Sequence, residues 1–496
     1  MRRFFEMLPG FLAWGTLILA GFLSWKEPVW VAFFIILFDT YWFFRTVYLT
    51  IILRYSFSKM RQNMKINWME KIEQLGRSDW KNIHHLIILP MYKEPHEVIW
   101  DSFKSLEKCN YDKSKFILVL ATEERAGSEP LEAAERIKKE FSGHFEQIFI
   151  TKHPSGLPGE IPGKGSNETW SIQEIKKEFI DKANIPYENI LVSIFDVDTQ
   201  VYPEYFACLT YNFLTCKNPQ RSSFQPIPVF ANNFDQVSPF ARLVSFQSTF
   251  WQMMRQVQPE RLTTFSSHSM PFKALVEIGY WQKDIVSEDS RIFWQCYLHY
   301  NGNWEVIPLL YPISMDANAA PTLLKNLVNI YRQQRRWAHG AENTSYILTG
   351  FFKNKFIPIK KKLYWAFELL EGNHSWATSS LIIATLGWLP TLIGSNDFNV
   401  TVLSYKLPQI TSTIMTIATF GLINSAILSL ILLSFHFQKI KIKNYILYLL
   451  EWILTPVTLV IFGAIPALEA QTRLMIGGKY KLGFWVTPKD RYGVKS

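Results

Sequence analysis

The 496-residue chain has few cysteines and few charged residues, and these shortages exclude several classes of protein. Its four cysteines, Cys109, Cys208, Cys216 and Cys296, form no C-x-x-C pair, which favours reduced, buried thiols over a disulfide framework. Charged residues make up only 19% of the chain, and the sequence has no low-complexity tract or internal repeat. A disulfide scaffold and a repeat protein are therefore both excluded.

The first apolar run lacks the pattern expected of a cleavable signal peptide, because a second apolar run follows it after only a few residues and no A-x-A-like cleavage site stands out. Hydrophobic residues make up 48% of the chain although the mean hydropathy is only +0.01, so the apolar residues are concentrated in stretches. Each stretch approaches the roughly 20 residues that cross a bilayer core. The stretches are 8–25, 29–53, 376–394, 410–435 and 445–468.

The first two apolar runs predict a transmembrane hairpin that returns the chain to its starting side. Positive residues flank this hairpin on both sides, with Arg2 and Arg3 before it and Arg54, Lys59 and Arg61 after it. Such residues favour the cytoplasmic side of a membrane. We therefore expect a multi-pass protein of the plasma (inner) membrane with its large middle region in the cytoplasm.

The net charge of +10 fits this positive-inside bias and contact with anionic membrane lipids. No basic helix or stacking platform typical of nucleic-acid binding is present, so nucleic acid is not an expected partner.

The region between the apolar runs has the pattern of an α/β fold. Short apolar runs alternate with amphipathic stretches. This order predicts a mostly parallel sheet, in which ligands bind at the carboxyl ends of the strands. The predicted strands are 86–89, 116–120, 148–151 and 190–195, and the predicted helices are 97–108, 131–141 and 173–182. A loop rich in glycine and proline is expected over 154–165.

Asp196 and Asp198 directly follow the fourth predicted strand. Two carboxylates at i and i+2 provide the oxygen ligands that Mg²⁺ or Mn²⁺ prefers, and such a metal would bridge them to a diphosphate. The same pattern also occurs on ordinary solvent loops.

Glu288 and Asp289 precede a helical stretch, 291–299. A carboxylate at this place acts either as a favourable charge at a helix start or as a general base that takes a proton from an acceptor hydroxyl.

Gln333, Arg336 and Trp337 lie at i, i+3 and i+4 of a predicted helix, 322–338, and so share one face. This face offers an amide, a guanidinium for phosphate and an indole that stacks on a sugar ring. An interfacial helix with its arginines at lipid headgroups is the alternative interpretation, and the two are compatible.

The ordered set D-x-D, S-E-D and Q-x-x-R-W closely resembles the membrane-integrated family 2 glycosyltransferases, which include cellulose and hyaluronan synthases. The resemblance extends from about Ile83 to Trp337 and implies a Rossmann-like GT-A domain flanked by transmembrane helices. It also implies residue roles. Asp289 would be the catalytic base supported by Glu288, Asp196 and Asp198 would hold the metal, and Gln333 and Trp337 would hold the acceptor and the diphosphate.

Further segments resemble donor-binding parts of this family. Glu94 lies in a P-x-Y-N-E-like opening in which Lys93 replaces the usual Asn, and Lys164 and Asn167 match a K-x-x-N segment. Glu123 and Glu124 stand where the family has Asp-Asp, a change that bears on recognition of the nucleotide base. The resemblance implies that Glu94, Glu123, Glu124, Lys164, Asn167 and Arg336 bind the nucleotide part of the donor.

The C-terminal segment 484–489 fits F-x-V-T-x-K, which resembles the gating loop of cellulose-synthase-like enzymes. Phe484, Thr487 and Lys489 would close over the nucleotide from the cytoplasmic side, whereas a tail at the membrane surface is the alternative. Lysines flank the last apolar run on both sides, and Glu451 and Pro456 interrupt it. We therefore predict that 445–468 is re-entrant or a broken helix.

The sequence predicts a membrane-bound inverting glycosyltransferase that moves a sugar from a nucleotide-sugar donor, UDP-linked, to a growing polysaccharide. Transfer of one sugar to a lipid-linked acceptor is an alternative, and a nucleotide-binding scaffold or transporter is an alternative of another class. The expected organisation is a transmembrane hairpin (1–53), a GT-A domain (54–320), interfacial helices (321–372), transmembrane or re-entrant segments (373–469) and a cytoplasmic tail (470–496).

Overall fold

The structure is a computed structural model that describes residues 1–436 and 442–488. The chain divides into two compact units. The helical unit comprises Met1–Tyr55, Ile330–Phe352 and Ile359–Leu482. The sheet unit comprises Ser56–Asn329, Lys353–Pro358 and the described residues from Gly483 onward.

The sheet unit contains one eight-stranded sheet in the order β3-β2-β1-β4-β7-β6-β8-β5. Its strands are β1 (His84–Pro90), β2 (Phe116–Glu123), β3 (Gln147–His153), β4 (Ile190–Ile194), β5 (Gln200–Val201), β6 (Ser222–Phe230), β7 (Ser269–Pro271) and β8 (Glu305–Met315). The first four strands pair in parallel, as do β6 and β8, whereas β7 is antiparallel to both its neighbours and β5 is antiparallel to β8. The predicted α/β fold with a mostly parallel sheet is confirmed.

Helices of both units follow in chain order. They are α1 (Arg2–Lys26), α2 (Pro28–Asn63), α3 (Trp68–Glu73), α4 (His96–Glu107), α5 (Glu129–Glu140), α6 (Lys164–Ile175), α7 (Tyr205–Thr215), α8 (Pro239–Gln256), α9 (Phe272–Glu277), α10 (Glu288–His299), α11 (Leu323–Ala338), α12 (Glu342–Lys353), α13 (Ile359–Thr385), α14 (Leu389–Ile393), α15 (Asn396–Asn399), α16 (Val402–His436), α17 (Ile442–Glu451), α18 (Thr455–Thr458) and α19 (Ile465–Ile476).

The first strands form where the sequence has continuous apolar runs. Every residue of β2 and β4 is buried, as expected for strands covered on both faces of a parallel sheet. The carboxyl ends of β1, β2 and β4 therefore meet at one edge of the sheet. That edge carries the segments after Pro90, Glu123 and Ile194.

One helix begins earlier than the sequence predicts. We expected a loop over 154–165 and a helix from Gln173, but α6 begins at Lys164 and continues through a π-helical turn, Lys176–Ile180. The first turns of α6 bury polar side chains, those of Ser166, Asn167, Glu168 and Thr169. Buried polar residues carry no apolar periodicity, which is why the helix start was missed.

Four helical stretches among the described residues are long and apolar enough to cross a membrane. They are Arg2–Lys26, Pro28–Asn63, Val402–Leu433 and Lys443–Ile476. The apolar run 376–394 is not one of them, because it is divided between the end of α13 and α14.

The last candidate span is helical but irregular. A 3₁₀ turn, Trp452–Leu454, and a π-helical turn, Leu459–Ala464, separate its α-helical parts. These turns fall near the Glu451 and Pro456 interruptions noted in the sequence. Whether this segment crosses or re-enters a membrane stays a prediction.

A buried histidine makes the stability of the sheet unit dependent on pH. His85 on β1 is fully buried among the rings of Tyr111, Phe116 and Phe206, and its Nε2 lies 3.0 Å from Thr210 Oγ1. Burial lowers the pKa of His85 to about 3, and repulsion from His84 adds to this effect. The folded protein thus keeps His85 neutral at a pH where the unfolded chain binds a proton.

We expect stability to fall as the pH drops below about 6.5, toward the folded pKa, because only the unfolded state then gains the proton. This single group should cost about 2 kcal/mol between pH 8 and pH 5. Thermal unfolding in detergent at pH 8 and pH 5 should show that His85→Leu loses less stability between the two pH values than the wild type does. His299→Leu, at an exposed position, is the control. Equal losses in His85→Leu and the wild type would contradict the prediction.

Candidate active site

The loop after β4 holds two aspartates in different environments. Asp198 is fully buried, and its Oδ2 accepts a hydrogen bond of 2.9 Å from the backbone N–H of Asp316. The Asp196 side chain is 30% exposed, and its Oδ2 accepts a hydrogen bond of 2.8 Å from Ser266 Oγ. Asp198 therefore anchors the loop, and Asp196 presents its carboxylate to the site.

Lys164 brings the predicted site residues together. Its Nζ lies 3.0 Å from Asp196 Oδ1 and 3.3 Å from each carboxylate oxygen of Asp289. Glu168, one helical turn further along α6, has its Oε1 3.6 Å from the same nitrogen. The D-x-D and S-E-D motifs, about ninety residues apart, thus meet at one ammonium group.

The charged groups in this cluster shift each other's pKa values. Burial alone would lower the pKa of Lys164, but Asp196, Asp289, Glu168 and Glu288 outweigh it and hold that pKa well above its usual range. Burial raises the pKa of Glu168 well above its usual range and the neighbouring carboxylates add to this effect, whereas Lys164 opposes it. Lys164 is therefore charged, and Glu168 favours its neutral form.

Asp289 and Glu288 lie in the first turn of α10, where the helix dipole favours negative charge. The hydroxyl of Thr264 donates to the backbone carbonyl of Asp289. Nδ1 of His268 donates to the carbonyl of Phe265 at 3.0 Å and lies 4.0 Å from Asp289 Oδ1. Asp289 therefore lies at a helix start, as the first interpretation predicts. Its role as a general base stays a prediction.

A glycine permits the close approach of α6 to α10. A Cβ on Gly165 would lie 2.9 Å from the carbonyl oxygen of Gln282 and 3.0 Å from Cβ of Glu288. Glu288 is buried at this contact. The residue after Lys164 must therefore be small if the ammonium is to reach Asp289.

The glutamates predicted to bind the nucleotide part of the donor form hydrogen bonds with neighbouring residues. Glu94 accepts a hydrogen bond of 2.7 Å from the backbone N–H of Tyr92. Both oxygens of Glu123 accept hydrogen bonds from Arg125, whose guanidinium lies 4.7 Å from the centre of the Tyr92 ring. Glu124 accepts hydrogen bonds from the backbone N–H and the hydroxyl of Ser155, both at 2.9 Å. These residues lie at or just after the carboxyl ends of β1, β2 and β3, at the predicted edge of the sheet.

Asn167 is held to the sheet by its side-chain amide. Its side chain is fully buried, and its Nδ2 donates to the carbonyl of Ala121 on β2 at 2.7 Å. This hydrogen bond gives Asn167 a positioning role, and its direct binding to a donor stays a prediction. The side chain ties the start of α6, and hence Lys164, to the sheet.

The tail motif reaches the start of the same helix. Phe484 packs against Gly163, where a Cβ would lie 2.9 Å from Cγ of the phenyl ring. The Thr487 hydroxyl is buried and has no hydrogen-bond partner within the described part of the chain. Lys489, the third predicted member, lies outside the described residues.

Gln333, Arg336 and Trp337 lie on the C-terminal half of α11, within the helical unit. Arg335 between them forms an ion pair of 2.6 Å with Glu469 of α19. The predicted helix and its spacing are therefore present.

The carboxylates around Lys164 fit a hard divalent cation in their chemistry. They outnumber the single ammonium they surround, and carboxylate oxygens are the ligands that Mg²⁺ and Mn²⁺ take. Within 1–436 and 442–488, no three His, Cys, Asp or Glu side chains are grouped so as to hold a metal by themselves. That pattern suits a metal held by one or two carboxylates together with substrate phosphates.

Three residues of the cluster were missed from the sequence: Ser266, His268 and Glu168. Ser266 and His268 lie in the irregular segment before β7, which has no periodicity. Glu168 is next to Asn167, but the K-x-x-N match gave it no role. The run Phe265-Ser266-Ser267-His268-Ser269 was the available signal, because small hydroxyl residues are common at crowded polar sites.

The comparisons with known proteins give one family and several distant structures. A search of curated proteins found no match. A mannosyltransferase, PcManGT from Pyrobaculum calidifontis, in complex with GDP-Man and Mn²⁺, is 12% identical with a TM-score of 0.43, over 75% of this chain and 99% of that one. S. aureus TarS 1–349 is 13% identical with a TM-score of 0.36, over 70% and 81%. The same fragment with UDP-GlcNAc is 12% identical with a TM-score of 0.32, over 68% and 90%.

The family model described as glycosyl transferase family group 2 matches residues 191–465, which is more than half of the chain. The match begins on β4 and includes the D-x-D, S-E-D and Q-x-x-R-W segments. The chain belongs to glycosyl transferase family group 2, and it is a glycosyltransferase whose sheet unit has an α/β fold.

Proposed function

We propose that the protein is a membrane-bound inverting glycosyltransferase of the cellulose and hyaluronan synthase type. It transfers a sugar from a nucleotide-sugar donor, UDP-linked, to a growing polysaccharide. The observation that supports this most directly is the convergence of Asp196 and Asp289 on Lys164 at the carboxyl edge of the sheet. This arrangement combines a base with a cationic group suited to a diphosphate. Family membership favours an enzyme over a nucleotide-binding scaffold or transporter.

In the proposed reaction, Asp289 takes the proton from an acceptor hydroxyl. The hydroxyl oxygen forms a bond to the anomeric carbon as the bond from that carbon to the diphosphate breaks. The nucleoside diphosphate leaves with the bonding electrons, and the single displacement inverts the anomeric centre. Glu288 supports Asp289 from the preceding position of α10.

In this scheme the Lys164 ammonium pairs either with Asp289 or with the diphosphate of the donor. In the structure its ammonium pairs with Asp289, so the carboxylate proposed as the base is masked by a cation. A bound diphosphate carries more negative charge and would draw the ammonium away from Asp289. Donor binding would then both stabilise the leaving group and free the base for the acceptor.

Asp196 and Asp198, the second of which also fixes the loop through Asp316, would hold Mg²⁺ or Mn²⁺. When bound, this ion supplies charge neutralisation at the departing diphosphate. Lys164 and Arg336 would also neutralise the charge of the departing diphosphate, because their cationic groups suit phosphate oxygens.

The remaining motifs are assigned by the same proposal. Gln333 and Trp337 hold the acceptor end and the diphosphate, and Phe484, Thr487 and Lys489 form a loop that closes over the nucleotide. Packing of Phe484 on Gly163, the residue before Lys164, supports the second assignment. The four candidate spans support a multi-pass protein of the plasma (inner) membrane with the sheet unit in the cytoplasm.

Nucleotide release by the purified, detergent-solubilised protein tests the reaction. We expect one donor in a panel of nucleotide sugars, with Mg²⁺ or Mn²⁺, to release its nucleotide. Asp289→Asn should lower that rate by about 10²–10⁴-fold, because the amide cannot accept the proton. Asp284→Asn, at an exposed position near the motif, is the matched control and should retain the rate.

Donor binding by Asp289→Asn should remain, as measured by calorimetry. Loss of donor binding together with activity would contradict the role of a base. The size of the product in the same reactions separates a polysaccharide from a single sugar on a lipid-linked acceptor.

Lys164→Met should change metal binding in the absence of donor. The wild-type ammonium lies 3.0 Å from Asp196 Oδ1 and competes with a divalent cation for that carboxylate. Removing this positive charge should tighten Mn²⁺ binding by about tenfold, as measured by the free Mn²⁺ signal in electron paramagnetic resonance. Lys152→Met, at an exposed position, is the control. Unchanged or weaker Mn²⁺ binding in Lys164→Met would contradict the competition.

Gly163→Ala should disturb the tail loop. The added Cβ would lie 2.9 Å from the Phe484 ring, so the ring must move, and we expect slower nucleotide release. Phe484→Ala and the double variant Gly163→Ala/Phe484→Ala complete a double-mutant cycle. The double variant should release nucleotide as fast as Phe484→Ala alone, because the alanine at 163 then has no ring to displace. Strictly additive losses would show that the glycine serves something other than the tail.

A further inference from the structure

The helical unit contains a cavity that the proposed reaction does not use. Its volume is about 520 Å³, and its walls come from α1, α11, α19 and the short segment after α19. Two of these helices belong to candidate membrane spans, Arg2–Lys26 and Lys443–Ile476. The cavity thus lies on the part of the protein that is most suited to a bilayer.

One wall of the cavity is apolar. Ile465, Leu468 and Ile476 line it, and Ile465 directly follows the π-helical turn Leu459–Ala464. The polar groups of this wall are already satisfied. Trp14 Nε1 donates to the Thr472 hydroxyl at 2.8 Å, and that hydroxyl donates to the carbonyl of Leu468 at 2.7 Å. This side of the cavity is therefore suited to a hydrocarbon chain.

The other end of the cavity is positively charged. Glu469 accepts hydrogen bonds from Tyr331 at 2.7 Å, from Arg335 at 2.6 Å and from Arg473 at 2.7 Å. Two guanidinium groups thus share one carboxylate, so the cluster carries an excess of positive charge. The Arg473 side chain is 34% exposed and lines the cavity, and its guanidinium also donates to the carbonyl of Tyr480 at 3.4 Å.

An apolar wall beside surplus positive charge is complementary to an amphiphile with an anionic head. The mouth is flanked by Trp14 and Tyr480, which are 37% and 48% exposed. Aromatic side chains with a polar atom favour the membrane–water interface, where phospholipid headgroups lie. A neutral ligand would leave the excess charge of Arg335 and Arg473 unused.

We propose that this cavity binds one anionic phospholipid of the bilayer, with an acyl chain along Ile465 and Leu468 and the headgroup phosphate at Arg473. The site lies within the helical unit and does not depend on which sugar is transferred. Tyr331 and Arg335 belong to α11, the helix that carries Gln333, Arg336 and Trp337. A lipid at this site therefore contacts the helix assigned to the acceptor.

Native mass spectrometry of the full chain in micelles with equal amounts of phosphatidylglycerol and phosphatidylcholine tests the proposal. We expect the wild type to retain one phosphatidylglycerol molecule in preference to phosphatidylcholine. Ile465→Trp, which fills the apolar wall, should lose it. Ile453→Trp places the same side chain on the same candidate span at an exposed position, and it should retain the lipid.

A second pair of variants tests the charge without filling the cavity. Arg473→Gln should lower the preference for phosphatidylglycerol over phosphatidylcholine at least severalfold, and Arg473→Lys should keep it. Equal retention of the two lipids by the wild type, or undiminished phosphatidylglycerol in Ile465→Trp, would overturn the proposal. Because the readout counts bound lipid, its result is separate from that of the nucleotide-release assay.

Discussion

The balance of charge around the Lys164 ammonium is the constraint on which the catalytic region depends. Carboxylates from the β4 loop and from α10 come within 3.3 Å of one nitrogen, and a buried glutamic acid of α6 lies just beyond. Like charges brought so close repel each other unless a cation lies among them. Lys164 provides that cation. In the proposed mechanism a diphosphate with its metal would change this balance, so the same arrangement that stabilises the carboxylates would also make the site responsive to the donor.

Holding one ammonium among three carboxyl groups requires a rigid support, and the fold provides it through buried polar contacts. Asn167 ties α6 to the Ala121 carbonyl of β2, and Asp198 ties the β4 loop to the backbone of Asp316 beyond β8. Behind them, the hydroxyls of Ser193 and Ser269 lie 2.7 Å apart between β4 and β7. Buried polar groups that have partners stabilise one arrangement, whereas the same groups without partners would be costly. The contacts of these side chains fix where Lys164 and Asp196 lie.

The sequence predicts this region unevenly, for physical reasons. The strands β1, β2 and β4 were located because parallel strands covered on both faces appear as continuous apolar runs. The strands β6 and β8 were not assigned because each contains two prolines, which are typical of edges and irregular pairing. The start of α6 was missed because its buried residues are polar, and Glu168 and His268 were missed for the same reason. The motif residues were found because their spacing is local, whereas their supports come from distant segments.

In the helical unit, which contains the candidate membrane spans, a different rule would decide the packing in a bilayer. Apolar side chains there would gain little by facing each other rather than lipid, so close contact between small residues and hydrogen bonds between helices would have to hold the unit together. Ala13, Ala377, Ala467 and Ala470 form a buried cluster, and Arg45 pairs with Glu371 at 2.7 Å between α2 and α13. Ala338, the last residue of α11, belongs to the same cluster. The helix that carries Gln333, Arg336 and Trp337 is thereby packed against membrane-type helices. Within this unit, the placement of Q-x-x-R-W depends on the fit of alanines, and a larger side chain at any of them would shift the motif.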